Sequence, residues 1–337
     1  MGSNLPKLRA GAVQASSILF DLEGNIEKAC KLIREAAAQS TRLLVFPECF
    51  LPSYPIWLDF YIATSKKSRL CYQKLFLSSV EIPSREFNGV CDAAKETNTI
   101  VVMGVCERRP RTTGTLYNSQ VFISNQGKIL GVHRKLVPTL KERMVHSQGF
   151  GPMLQVYDTE FGGIGGLICG ENSNPLAKFS LMVQGEVIHA ASWPPYFSRK
   201  PMSETIGFVS RALAYENKVF VINAAGFLDQ DNLSAIDATM DTLSGNISPV
   251  RGGSSIVAPS GEIVAGPLLD KEGVLYFEMD LNEIVLEKMV HDFAGHYNRF
   301  DVFSLRVNND TKPSIEVDTP AGLDRVEEEG RTEEKSK

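Results

Sequence analysis

The chain has 337 residues, 43% of them hydrophobic and 22% charged, a globular composition sufficient for one large α/β domain. No stretch approaches the ~18 uninterrupted apolar residues of a membrane helix, so no membrane partner is expected. The net charge of −5 has the wrong sign for a general nucleic-acid binder.

In chain order, residues 8–15 alternate like a strand. Residues 24–39 then carry Ile26, Cys30, Ile33 and Ala37 at helical steps, with Glu27, Lys28, Lys31, Arg34 and Glu35 opposite. Leu43-Leu44-Val45-Phe46 predicts a buried strand stopped by Pro47, which completes a β-α-β opening. The run 100–105 has no polar side chain and predicts a strand covered on both faces. Residues 119–124 and 128–133 flank Asn125-Gln126-Gly127 as a hairpin. Further strands are expected at 164–169, 187–192, 219–224 and 274–279, helices up to 184 and over 203–217, and a second hairpin around Pro259-Ser260-Gly261. There is no internal repeat, and one domain fills residues 1–309.

From Asp310 onward the chain holds nine acidic and five basic residues and no aromatic one. Such a composition cannot bury enough apolar surface to offset its ordering entropy, so 310–337 is expected to be a disordered acidic tail. The first residues, Met1 to Lys7, have no apolar secretory stretch, and a cytoplasmic protein is expected. Six cysteines occur without a C-x-x-C or a His pair at zinc spacing, so neither a structural metal nor a disulfide framework is expected.

The glycine cluster Gly162-Gly163-Ile164-Gly165-Gly166 does not fit G-x-G-x-x-G, because Ile168 stands where the last glycine belongs. Close packing of sheet and backbone is the better reading. No H-E-x-x-H or G-x-S-x-G is present either. What remains is polar residues at strand ends. Cys169 closes an apolar strand, where α/β sheets gather ligands; it is either a nucleophile or an inert core thiol. Glu48 follows another buried strand, as a general base or a cap. Lys135 follows 128–133, as a cation for developing charge or a surface lysine. Glu142 sits between Lys141 and Arg143, which suggests a solvated charged face.

Taken together in order, Phe46-Pro47-Glu48, His133-Arg134-Lys135-Leu136-Val137-Pro138-Thr139 and Gly166-Leu167-Ile168-Cys169-Gly170-Glu171-Asn172 resemble the Glu, Lys and Cys blocks of the nitrilase superfamily. Glu142-Arg143 with Gln148-Gly149 resembles the segment of its second glutamate, and His296-Tyr297 to Phe303 the C-terminal block of its nitrilase branch. The resemblance spans about residues 8–308. It implies an α/β fold of the four-layer α-β-β-α type, with Cys169 as nucleophile, Glu48 as base, Lys135 as charge stabiliser and Glu142 as its holder. It also implies a nitrile substrate, self-association into homodimers or larger spirals, and no cofactor or metal. Tyr54, Trp57, and Trp193 in Trp193-Pro194-Pro195-Tyr196 are candidates for an apolar substrate pocket. Many nitrilases have tryptophan after the nucleophile where this chain has Gly170, a departure that bears on pocket shape and substrate range. An amidase of the same superfamily and a catalytically inactive scaffold are the alternatives.

Overall fold

The structure is a computed structural model that describes residues 5–195, 202–228 and 251–310. The opening β-α-β unit forms as expected. Strand β1 (Lys7–Gln14) leads to helix α1 (Leu22–Ala38) and β2 (Leu43–Val45). Asp21 starts α1 by accepting a hydrogen bond from the Gly24 amide, satisfying one of the free N–H groups of a helix start. Ala29, Cys30, Ile33 and Ala36 then form its buried face. A fully buried isoleucine such as Ile33 is worth about 1.5–3 kcal/mol over an exposed one.

Helices α2 (Lys66–Ser78) and α3 (Asn88–Thr97) precede β3 (Ile100–Arg108), β4 (Leu116–Ile123) and β5 (Ile129–Arg134). These two helices were not anticipated. Helix α2 buries only Ser68 and Leu75, too little for an apolar periodicity to show. The second half runs β6 (Tyr157–Thr159), β7 (Gly162–Ile168), α4 (Pro175–Met182), β8 (Glu186–Trp193), α5 (Met202–Asn217) and β9 (Phe220–Ala225). It closes with β10 (Ser255–Val257), β11 (Ile263–Ala265), β12 (Gly273–Asp280) and the unanticipated α6 (Asn282–Lys288). Both hairpins lie where the turns predicted them. The acidic tail, apart from Asp310, lies outside the described residues.

The strands make two six-stranded sheets, β12-β1-β2-β3-β4-β5 and β11-β10-β9-β8-β7-β6. Read from β12 and from β6, successive pairings are antiparallel, parallel, parallel, antiparallel and antiparallel in both. The chain thus lays down one strand pattern twice without a sequence repeat. Side-chain parity creates four layers. Ala10, Ala12, Leu43, Val45, Ile100 and Val102 meet Ile188, Ala190, Phe220 and Ile222 between the sheets. Val13, Leu44, Val101 and Met103 point the other way, onto Ile33, Ala36, Val90 and Ala94 of α1 and α3. On the far side Ala191, Trp193 and Val221 pack under Ile206, Val209 and Leu213 of α5. The result is the expected α-β-β-α sandwich.

The sheets are tied together at the carboxyl ends of their parallel strands. The Glu48 amide donates to Trp193 O (3.2 Å) and the Phe227 amide to Ala15 O (3.1 Å). Ser192 Oγ donates to Phe46 O (2.9 Å). Gln120, deep in the interlayer, donates to Ala190 O and Ser192 Oγ. Among the described residues no helix is long and apolar enough to cross a membrane.

Candidate active site

Glu48 is delivered by the turn after β2. That turn lies directly on β3, where a side chain would block it: a Cβ on Gly104 would sit 1.9 Å from Pro47 O and 3.0 Å from the Cys49 amide. Glycine is what lets the two backbones touch. The Glu48 side chain is buried, and its Oε1 accepts from Lys135 Nζ (2.7 Å) and Asn118 Nδ2 (2.6 Å). Its Oε2 is buried with no protein partner.

Lys135 follows β5 and is held by its own backbone: its amide donates to Asn118 O and its carbonyl accepts from the Gly149 amide, both at 2.8 Å. Only 1% of the residue is exposed, and the surface alternative therefore fails. Its ammonium also donates to Glu142 Oε2 (2.6 Å). Glu142 stands on a 3₁₀ turn, Leu140–Met144, capped by Thr139, whose amide donates to Glu142 Oε2 (2.8 Å). The flanking bases suggested a solvated position, yet the Glu142 side chain is buried. Lys141 swings out to Asp59 and Arg143 to Pro138 O, as neighbours on a tight turn must diverge. Asn118 donates to Glu142 Oε1 (2.8 Å) as well as to Glu48.

Two carboxylates and one ammonium therefore share a buried cluster with one net negative charge, and the carboxylates are not equivalent. Burial pushes the Glu48 carboxyl up, the Lys135 charge opposes this and Glu142 adds to it, leaving Glu48 at about 7. Burial also works against Glu142, but Lys135 and His146 outweigh it and hold that carboxyl well below the usual range. Burial alone would lower the Lys135 ammonium; Glu48 and Glu142 overcome it and keep the lysine protonated.

Cys169 opens a short 3₁₀ turn, Cys169–Ser173, at the end of β7. Its φ of 51° is left-handed, a conformation costing a non-glycine residue of order 1 kcal/mol or more and frequent at functional turns. Burial pushes its thiol up, Glu48 and Glu142 add to this, and Lys135 and the Gly170 amide pull it back. The net effect is a resting neutral thiol within the field of a carboxylate able to take its proton near neutrality. The turn is braced from behind. Glu171 accepts from His133 Nε2 (2.9 Å) and from the Ile168 and Leu136 amides. Asn172 donates to Cys169 O (2.9 Å) and faces His189 Nε2 (2.8 Å).

The family model for carbon-nitrogen hydrolase matches residues 9–286. The chain belongs to the nitrilase superfamily. An arylacetonitrilase from Aspergillus oryzae is 33% identical over 335 residues, covering 95% of this chain and 97% of its own length. A nitrilase from a Bacillus strain is 34% identical over 319 residues, covering 93% and 91%. Among solved structures, Saccharomyces cerevisiae Nit3, of branch 10 of the nitrilase superfamily, superposes with a TM-score of 0.66 at 20% identity, covering 86% of this chain and 96% of that one.

Within this nitrilase-superfamily fold, a small chamber beside Glu48 is walled by Tyr54, Ile56, Leu19, Pro195, Phe227 and Leu228, among others. Tyr54 is buried within electrostatic reach of Glu142, Glu48 and Cys169. Trp57 packs instead against Phe20 (5.5 Å between rings), and Trp193 lies beneath α5 with Nε1 donating to Asn223 Oδ1 (3.0 Å). Tyr196 lies outside the described residues. The glycine cluster serves packing: a Cβ on Gly166 would meet Ala190 O at 2.6 Å, and one on Gly165 would meet Glu186 Oε1 at 2.2 Å. Among the described residues no group of three or more His, Cys, Asp or Glu is placed to hold a metal ion. Sequence reasoning missed Asn118. Its signal was three consecutive polar residues, Asn118-Ser119-Gln120, inside a strand buried along its whole length.

Proposed function

We propose that this carbon-nitrogen hydrolase is a nitrilase, converting a nitrile to its carboxylic acid and ammonia through a covalent cysteine intermediate. The observation that carries the reading is the buried Glu48–Lys135–Glu142 cluster with one unpartnered carboxylate oxygen, next to a thiol on a left-handed turn. Relatives of about one-third identity named nitrilase and arylacetonitrilase support the choice of nitrile as substrate.

In this mechanism Cys169 Sγ attacks the nitrile carbon as its proton passes to Glu48, Oε2 being the free acceptor. Glu48 then gives a proton to the nitrogen, forming the thioimidate. Water adds with Glu48 taking its proton, the nitrogen is protonated and leaves as ammonia, and a thioester remains. A second water, activated in the same way, releases the acid and restores the thiol. Lys135 stabilises the negative tetrahedral states, a role in which one lost donor costs about 3–4 kcal/mol. Glu142 holds the lysine in place. Protonated nitrogen and a stabilised oxygen favour loss of ammonia over loss of sulfur, so acid is the main product and amide a minor one.

A panel of aliphatic, aromatic and arylaceto nitriles, each beside its matching amide, with ammonia detection and product chromatography, tests this reading. Ammonia from amides alone would make the protein an amidase, no ammonia from either a scaffold, and amide as main product a hydratase-like enzyme. The proposal includes a homodimer or longer assembly. Leu176, Phe208, Met289, Val290 and Phe303 are exposed on α4, α5 and the C-terminal segment, apolar side chains that such an assembly would cover. A mass near 37.1 kDa by light scattering at micromolar concentration would refute assembly.

A further inference from the structure

A second buried polar chain reaches Cys169 through its backbone. Strand β8 pairs His189 with Gly165 of β7, and Glu186 stands three residues earlier on β8. Both side chains are buried, and the proposed reaction uses neither. Asn172 gives its two amide hydrogens to carbonyls, Cys169 O at 2.9 Å and Leu167 O at 3.3 Å. Its Oδ1 is left to face His189 Nε2 at 2.8 Å, so Nε2 must carry a hydrogen. Nδ1 of the same ring lies 2.7 Å from Glu186 Oε1, and a proton on either atom makes that contact. The direction of donation is thus fixed through the imidazole and the amide, and it ends on the Cys169 carbonyl.

We infer that Glu186, His189 and Asn172 are positioning residues, a hydrogen-bonded chain that holds the Cys169–Gly170 peptide and so presents Sγ for attack. The carbonyl it grips shares one planar peptide unit with the Gly170 amide. Fixing the carbonyl therefore fixes where that N–H points, which is towards the sulfur, where it favours the thiolate. It also fixes ψ of Cys169, whose φ of 51° is kept by a non-glycine residue only when its surroundings impose it. Gly165 belongs to the same device. A Cβ there would run into the Glu186 oxygen that meets His189. The other oxygen, Oε2, is buried without a partner among the described residues, a cost that packing alone does not call for. The inference rests on Cys169 being the nucleophile, but its test needs no nitrile.

The experiment measures alkylation of each cysteine by iodoacetamide at pH 8, read peptide by peptide by mass spectrometry. Half-buried Cys71 on α2 is the internal reference. His189→Leu and Asn172→Leu break the chain at two links, Gly165→Ala displaces Glu186, and His189→Gln keeps a donor at the Nε2 position. Cys169 alkylation should fall about 10–100-fold in whichever Leu variant folds, the scale of a misplaced reacting atom, with Cys71 unchanged. Gly165→Ala should slow it as well, and His189→Gln should recover most of the loss. A general loosening of the fold would instead speed several cysteines together, because burial is what protects them. An unchanged or faster Cys169 in a folded Leu variant would overturn the inference, as would a Gln variant as slow as Leu. Wild-type reactivity in Gly165→Ala would overturn it for Glu186. Nitrogen NMR of histidine-labelled wild type needs no variant: an unprotonated Nε2 at His189 would refute the arrangement. Wild-type Cys169 reacting no faster than Cys71 would fail the nucleophile assignment itself, and the inference with it.

Discussion

Asn118 offers the most direct test of how the cluster is tuned. Its Nδ2 donates to Glu48 Oε1 at 2.6 Å and to Glu142 Oε1 at 2.8 Å, and Asn118→Leu removes both bonds while keeping the volume close. A hydrogen bond to a charged group is worth about 1.5–3 kcal/mol, which corresponds to about 1–2 pH units in the carboxyl it serves. The lower figure applies, because Lys135 Nζ stays 2.7 Å from the same Glu48 oxygen. The carboxyl at about 7 should therefore move up by about one unit. Turnover that needs the carboxylate is lost as pH falls through that value. Initial ammonia-release rates should then be about tenfold lower than wild type at pH 6 and within about 10% of it at pH 9. The assay is a pH–kcat/KM profile from pH 5 to 9.5 on one nitrile. A uniform loss at every pH, with the acid limb unmoved, would refute the electrostatic reasoning and leave Asn118 a packing residue.

Other substitutions probe separate parts of the site. Cys169→Ala should abolish ammonia release while the melting temperature stays within a few degrees of wild type; near-wild-type release from the folded variant would end its assignment as nucleophile. Lys135→Met strands two buried carboxylates and should cost about 3–5 kcal/mol at pH 8. The sign is set by Glu48: its folded value lies above the 4.5 of a free glutamate and rises further without the lysine. The folded protein then binds more protons than the unfolded one, so the variant regains stability as pH falls towards 5, as denaturant titrations would show. Gly104→Ala drives a methyl into Pro47 O; it should cost about 1–3 kcal/mol and, by shifting Glu48, about 100-fold in kcat. Unchanged kcat would mean the Glu48 turn is not held by β3.

The sequence made single elements legible wherever a strand or helix buries a continuous face, such as the alternating residues 8–15 and the Cys30–Ile33 face of the opening helix; the four-layer sandwich followed only from the family resemblance. Helix α2 was invisible because it shows the core so little of itself. For the site, Glu48, Lys135 and Cys169 were readable as strand-end residues in an ordered set of motifs. The depth of Glu142 was not, since Lys141 and Arg143 advertise solvent on either side of it. Asn118 was further out of reach. It acts through a contact across the fold, from β4 to the turn after β2, a separation of 70 residues. Such pairings exist only once the sheet has placed their partners.

The pairing of β1 with β12 bears on how the protein is made. Eight residue pairs join them, from Lys7 opposite Asp280 to Gln14 opposite Gly273. Strand β1 therefore keeps one open edge until β12 has been synthesised, roughly 13–55 s later at ~5–20 residues per second. An unpaired strand edge of that age invites pairing with other chains, so crowding nascent chains together should cost yield more than heating the finished protein gently. The same seam couples completion to competence. Glu48, Lys135 and Cys169 are all synthesised long before residue 280, yet the sheet that carries Glu48 and Lys135 closes only with β12, so a nascent chain holds Cys169 without its finished Glu48–Lys135 cluster until that strand has been made.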